Sequence, residues 1–115
     1  MMVKTYAELP KKQELNDNGT LKLTHNFLNA FEGCNPKARL FSIAEVEPGQ
    51  AVPFHVHNGE NETYYFLSGV GLYNDNGTEV PVAAGMTTFC PAGEGHGVVN
   101  TGTEPLRFVA LILVN

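Results

Sequence analysis

Apolar residues along this 115-residue chain fall in short runs, each closed by turn-forming residues. The punctuation recurs at Pro48-Gly49, Asn58-Gly59, Ser68-Gly69, Asn74-Asp75-Asn76-Gly77, Ala84-Gly85, Gly93 and Thr101-Gly102. The runs between are rich in Val, Phe, Tyr, Leu and Thr and too short for ordinary helices. Short strands at even spacing predict an all-β sandwich or barrel. Leu21 and Leu23, then Phe27, Leu28 and Phe31, predict the strand that opens the folded body, with a loop over Glu32-Gly33-Cys34-Asn35-Pro36. Asn76-Gly77 predicts a tight hairpin between Gly71-Leu72-Tyr73 and Glu79-Val80-Pro81, because both residues tolerate the positive φ such a turn needs. Ahead of these, residues 1–20 are polar and end in the turn signal Asn16-Asp17-Asn18-Gly19. They predict an N-terminal arm with little regular structure, in front of a single β-barrel domain over residues 21–115.

Two strands break the usual alternation. Arg39 to Val46 and Leu106 to Val114 are apolar on both faces, where a strand with one face in water would alternate apolar with polar. Burial of both faces in so small a domain needs a cover over the outer one. The pattern favours a homodimer; the alternative is a monomer that packs its own arm there.

Composition then removes several classes. An apolar share of 43% can bury a core in a chain of this size. Twelve Gly and seven Pro suit many tight turns without reaching a low-complexity composition. A formal net charge of −5 and a single basic pair, Lys11-Lys12, argue against a nucleic-acid partner. That pair reads as solvated charge in the arm. No apolar run approaches the length of a membrane span. The start, Met1-Met2-Val3-Lys4, leads into Thr5, Tyr6 and Glu8 rather than into a signal-peptide core. The expectation is a cytoplasmic protein without a membrane partner, in which Cys34 and Cys90 stay reduced.

The candidate chemistry lies in three of the four histidines. His55 and His57 are two apart, so a strand projects both to one face, about 7 Å apart along the backbone. Glu62 lies past the Asn58-Gly59 turn, where the chain can fold back and offer its carboxylate to the same point. His96 follows Pro91-Ala92-Gly93-Glu94-Gly95, a stiff turn that re-aims the chain toward the first three. Three imidazoles and one carboxylate can hold a divalent transition metal and leave positions open for a substrate. A structural zinc site would more often be closed by cysteines. Each histidine alone reads as an ordinary polar residue; their fixed offsets from a glutamate and a set of Gly and Pro outweigh that reading.

These residues resemble the cupin superfamily. Gly49, His55, His57, Glu62 and Gly69 match its first motif, G(x)5HxH(x)3,4E(x)6G, and Gly85, Pro91, Gly93, His96 and Asn100 match its second, G(x)5PxG(x)2H(x)3N. The spacer between them, Val70 to Ala84, is similar to that of small single-domain microbial cupins. The resemblance implies a double-stranded β-helix, or jelly-roll barrel, with His55, His57, Glu62 and His96 as metal ligands near one mouth. It implies iron, manganese, nickel or zinc as the cofactor, since mixed imidazole and carboxylate donors suit these ions. The family's activities include dioxygenation, decarboxylation, isomerisation and lyase reactions, and some members only bind small molecules, so the fold does not select the function.

Other residues compete for roles beside the metal. Tyr64 and Phe66 share the parity of Glu62 and should face inward, with Tyr65 and Leu67 outward. Tyr64 is a candidate proton donor or substrate anchor, against the commoner reading of a core tyrosine. Glu60 is a candidate base or an acceptor behind a ligand, against a solvated turn residue. Asn100 has the parity of His96 but lies far enough on to close a turn instead, and nothing ties His25 to the motifs. Arg39 and Arg107 are the only arginines, so the pocket is expected to hold few cations and to take a small neutral or weakly anionic ligand. The favoured function is a small metalloenzyme acting on a small molecule. An Fe- or Mn-dependent oxygenase or oxidoreductase comes first, with an isomerase or decarboxylase next. The alternative is a metal-dependent binding or sensor protein without turnover, which the lack of a committed acid–base group beyond the ligands supports.

Overall fold

The computed structural model describes residues 2–115. Among these, one 3-10 turn, Tyr6–Glu8, precedes ten strands. They are β1 (Lys11–Leu15), β2 (Leu21–Phe27), β3 (Ala38–Val46), β4 (Ala51–Val56), β5 (Glu60–Ser68), β6 (Val70–Asp75), β7 (Thr78–Ala83), β8 (Thr87–Cys90), β9 (Gly95–Asn100) and β10 (Leu106–Val114). Two antiparallel sheets face each other, in the orders β1-β2-β3-β10-β5-β8 and β4-β9-β6-β7. This all-β arrangement is the jelly-roll form of the double-stranded β-helix.

The core follows from alternation on the inner faces. In β10, Leu106, Phe108, Ala110 and Ile112 are buried while Arg107, Val109 and Leu111 are only half-buried. In β5, Glu62, Tyr64 and Phe66 point inward and Tyr65 and Leu67 outward, as the period of two requires. Leu23, Ala44, Val46, Tyr73, Val82 and Val98 close the same core from the other strands. Each large apolar side chain buried this way contributes about 1.5–3 kcal/mol. The predicted hairpin forms: Asp75 pairs with Thr78, and Asn76 and Gly77 carry φ of 49° and 105°. Asn100 closes the turn that follows it, donating from Nδ2 to the carbonyls of Val46 and Glu104 and accepting from the Gly102 N–H.

The N-terminal segment departs from expectation. Instead of an arm with little regular structure, Lys11–Leu15 pairs antiparallel with β2, from Lys11↔Asn26 to Glu14↔Leu23, through the Asn16–Gly19 turn. Its polar sequence hid this because β1 is an edge strand, and a charged edge needs no apolar face of its own. The segment before it lies over part of the outer face of the large sheet. There the Tyr6 hydroxyl donates to Glu45 Oε1 at 2.6 Å, and the Arg107 guanidinium sits 5.5 Å from the Tyr6 ring centre. Farther along that face Tyr65, Leu67 and Phe89 are exposed, Phe89 by 55%.

Candidate metal centre

A local irregularity sets the geometry of the centre. β4 and β9 pair as Val52↔Val98 and then His55↔His96, so Pro53 and Phe54 together oppose Gly97. This is a β-bulge, which bends the strand and re-aims its side chains. Gly97 permits it, because a Cβ there would lie 2.8 Å from both Phe54 N and Val52 O. Pro53 is tolerated since β4 is an edge strand. The bulge sets His55 directly across from His96. Two backbone bonds then tie His57 to the turn before His96: His57 N–H donates to Glu94 O at 3.0 Å, and Gly93 N–H to His57 O at 2.7 Å.

The four predicted ligands meet at one point, all of their donor atoms within 4.8 Å of one another. His57 Nε2 lies 3.0 Å from His55 Nε2, 3.1 Å from His96 Nε2 and 2.9 Å from Glu62 Oε1. His96 Nε2 is 2.8 Å from the same carboxylate oxygen. His57, Glu62 and His96 are buried and His55 is partly exposed toward the opening.

The other ring nitrogens are each engaged by a neighbouring oxygen. His55 Nδ1 is 2.8 Å from Pro53 O, an acceptor only, and His57 Nδ1 is 2.9 Å from Glu60 Oε1. His96 Nδ1 is 2.8 Å from the Tyr73 hydroxyl. Pro53 O and the Glu60 carboxylate only accept, so His55 and His57 carry a proton on Nδ1, and their Nε2 atoms, His96 Nε2 and a carboxylate oxygen face one another. Such a group repels itself unless a cation is shared among them. The donor set therefore fits a divalent transition metal, and carboxylate, carbonyl and phenol partners behind the ligands are the usual means of orienting them.

Electrostatics agree with an ionised ligand set. Burial alone would raise the Glu62 carboxyl, but the imidazoles of His55, His96 and His57 around it outweigh burial and hold it at about 2. The Glu62 carboxylate 3.7 Å away raises the His55 pKa. Glu60 is also held at about 2, first by its bond from Arg39. Arg39 reaches it through two contacts of 2.7 Å, Nε to Oε2 and Nη2 to Oε1. Tyr64 lies flat against His96, ring centres 4.8 Å apart. Burial, then the Glu62 charge, pushes its hydroxyl well above the ordinary phenol value. Tyr73 is pushed up to about 12, chiefly by burial.

The centre forms part of the wall of a cavity of about 580 Å³. One expectation fails here: the cavity is not poor in cations, since Lys12, Lys22 and Arg39 all line it. Two of them are there because the ladders slip. Lys22 is the extra residue between Glu14↔Leu23 and Leu15↔Leu21, and Arg39 the extra residue between Leu40↔Ile112 and Ala38↔Leu113. Lys12 belongs to the edge strand that the sequence hid. Arg107, by contrast, stays on the outer face beside Glu45 at 3.3 Å. His25 lines the same cavity, although nothing in the sequence connected it to the motifs. Tyr73 was missed as well. Its alternation with Gly71 in β6 marks it as inward, but only the sheet order reveals β9 beside it. Cys90 is buried and Cys34 exposed, and both are free.

The comparisons with known proteins point the same way. A curated oxalate-binding protein from Thermotoga maritima is 42% identical over 96 residues, covering 84% of this chain and 78% of its own. The chain is also similar to the crystal structure of a protein described as a predicted oxalate decarboxylase from Thermotoga maritima. That likeness has a TM-score of 0.87 and 37% identity, over 98% of this chain and 99% of that one. A Thermus thermophilus structure follows at TM-score 0.74 and 28% identity, over 99% and 98% of the two chains. The sequence profile of the cupin domain matches residues 42–112. With that match spanning more than half of its length, the chain belongs to the cupin domain family.

Proposed function

We propose that this chain binds a small carboxylate anion through a divalent transition metal held by His55, His57, Glu62 and His96. The observation that carries the reading is the convergence of three histidine Nε2 atoms and the Glu62 carboxylate oxygen beside a cavity of about 580 Å³. A bound divalent ion supplies Lewis acidity and open positions for oxygen donors. The chain's own part is to hold the donors in place and to exclude water on the buried side. The relative named for oxalate binding supports this choice of ligand class. Iron, manganese, nickel and zinc all suit the donor set. The test is calorimetric titration of oxalate into the manganese- or zinc-loaded chain and into the metal-free chain. Saturable binding by the loaded chain alone is expected; equal binding by both would sink the reading.

Turnover is the second reading, and Tyr64 favours it. Its hydroxyl, kept neutral by burial and the Glu62 charge, lies in the cavity wall and would anchor a substrate oxygen by hydrogen bonding while oxalate is converted to formate and carbon dioxide. Glu60 suits positioning better than base catalysis, since both of its oxygens are already engaged. An oxygenase remains within this reading when the ion is iron or manganese. Mass-spectrometric search for formate, with oxalate as probe, checks it: no product from any loaded form argues for binding alone.

The exposed outer residues Tyr65, Leu67 and Phe89 support the homodimer expected from the two-sided strands. Light scattering of Phe89→Asp beside the parent chain tests this, with a shift from dimer to monomer expected. A monomeric parent would remove the idea.

A further inference from the structure

The cavity beside the metal centre is also lined by a second group of polar side chains that the carboxylate reading does not use. His25 is half-buried on β2, and its Nδ1 meets the fully buried Ser42 Oγ at 3.1 Å. Among the described residues no protein group bonds its other ring nitrogen, and the ring lines the cavity. Lys12 stands on the same rung of the β1–β2 ladder as His25. Lys22, thrown inward by the slip in that ladder, lines the same wall. Arg39 is committed to Glu60, whereas neither Lys12 nor Lys22 makes an ion pair among the described residues.

The charges are unevenly shared out. Three of the chain's seven Lys and Arg line this one cavity, against two of its twelve Asp and Glu, Glu14 and Glu62. One of those two carboxylates is a metal ligand, so the wall away from the centre has a surplus of positive charge. Phe27, Leu40, Phe108 and Ile112 add apolar wall to the same cavity. The volume falls within the ~300–1,000 Å³ range of small-molecule sites, far more than a two-carbon dianion fills.

We propose that His25, Lys12 and Lys22 form a second anion-holding subsite, so that the preferred ligand is a dianion with an apolar carbon spacer, longer than oxalate. One acid group sits at the His55, His57, Glu62 and His96 centre. The other accepts hydrogen bonds from the free nitrogen of His25 and from the lysine ammonium groups. This rests on metal-dependent carboxylate binding and adds the length and the far-end charge of the ligand.

The test keeps one chelating head and varies the tail. Manganese-loaded full-length chain is titrated calorimetrically with 2-oxobutanoate, with 2-oxo dicarboxylates of four, five and six carbons, and with oxalate. One of the dicarboxylates is expected to bind at least about tenfold more tightly than 2-oxobutanoate. His25→Gln and Lys22→Met should each remove about tenfold of that advantage, the loss expected for a hydrogen bond to a charged group. Both should leave oxalate affinity and metal content unchanged. Equal affinity for charged and neutral tails overturns the subsite alone, as does an equal loss for oxalate in both variants. Failure of every carboxylate, oxalate included, to bind a chain that does hold manganese sinks the parent reading together with this one.

Discussion

The two ends of the cavity are built differently. At the metal end each histidine is fixed twice, once by its place in a ladder or turn and once by a hydrogen bond at Nδ1. On the other part of the wall Lys12 and Lys22 make no side-chain hydrogen bond or ion pair among the described residues, and His25 is held by a single hydroxyl. The first end is preorganised for one kind of occupant, and its geometry has little room to adapt. The second can rearrange around ligands of different length. Chemistry is therefore set at the rigid end and selectivity at the loose one.

The sharpest way to break the comparison is to delete a donor. His57→Ala should abolish stoichiometric metal binding, and with it the metal-dependent rise in stability. That rise amounts to about 4 kcal/mol when free metal is 1,000 times its Kd. Thermal melts with and without manganese check this; a variant that still gains stability from metal would show that the other three donors suffice. Gly97→Ala attacks the bulge behind the same end. Its added methyl meets backbone rather than a flexible side chain, so a loss of about 1–3 kcal/mol in denaturant unfolding is expected. No loss would mean that the β4–β9 approach can relax.

Tyr73→Phe tests whether the rigid end needs its outer partners. Removing the hydroxyl that bonds His96 Nδ1 should weaken metal affinity about 10–100-fold while leaving the fold intact. A competition titration against a metal-sensitive dye reads it, and unchanged affinity would make Tyr73 a packing residue only. The smallest effect is expected at Arg39, whose side chain is more than half exposed. Glu60 is held at about 2 against an ordinary 4.5, so its contribution to stability is complete above about pH 4.5 and fades as the pH falls toward 2. Arg39→Met lets that carboxyl titrate nearer its ordinary value. The stability gap between parent and variant should then narrow from pH 5 to pH 3; a constant gap would show that the pair carries no pH-linked stability.

The same contrast explains what the sequence made legible. The clustering of His55, His57, Glu62 and His96 could be read because they are fixed by local spacing and by Gly and Pro turns. The inward set of β5 and the Asn76-Gly77 hairpin followed from short-range periodicity and turn chemistry. Lys22 and Arg39 could not be placed, since a ladder that slips by one residue reverses the parity on which such placement rests. Lys12 was hidden in an edge strand whose pairing leaves no apolar signature. Tyr73 and His25 depend on which strands become neighbours, a property of the sheet order rather than of any local stretch.

The slipped ladders also bear on how such a cavity can change over time. Lys22 and Arg39 are each the surplus residue of their strand, flanked on both sides by rungs already in register. Deleting either would remove one charge from the cavity and let the neighbouring rungs close into an uninterrupted ladder. Deletion at a paired position would instead turn part of a strand inside out. A one-residue deletion, ordinarily among the most disruptive changes a β-sheet can suffer, is at these two points a way to retune ligand charge.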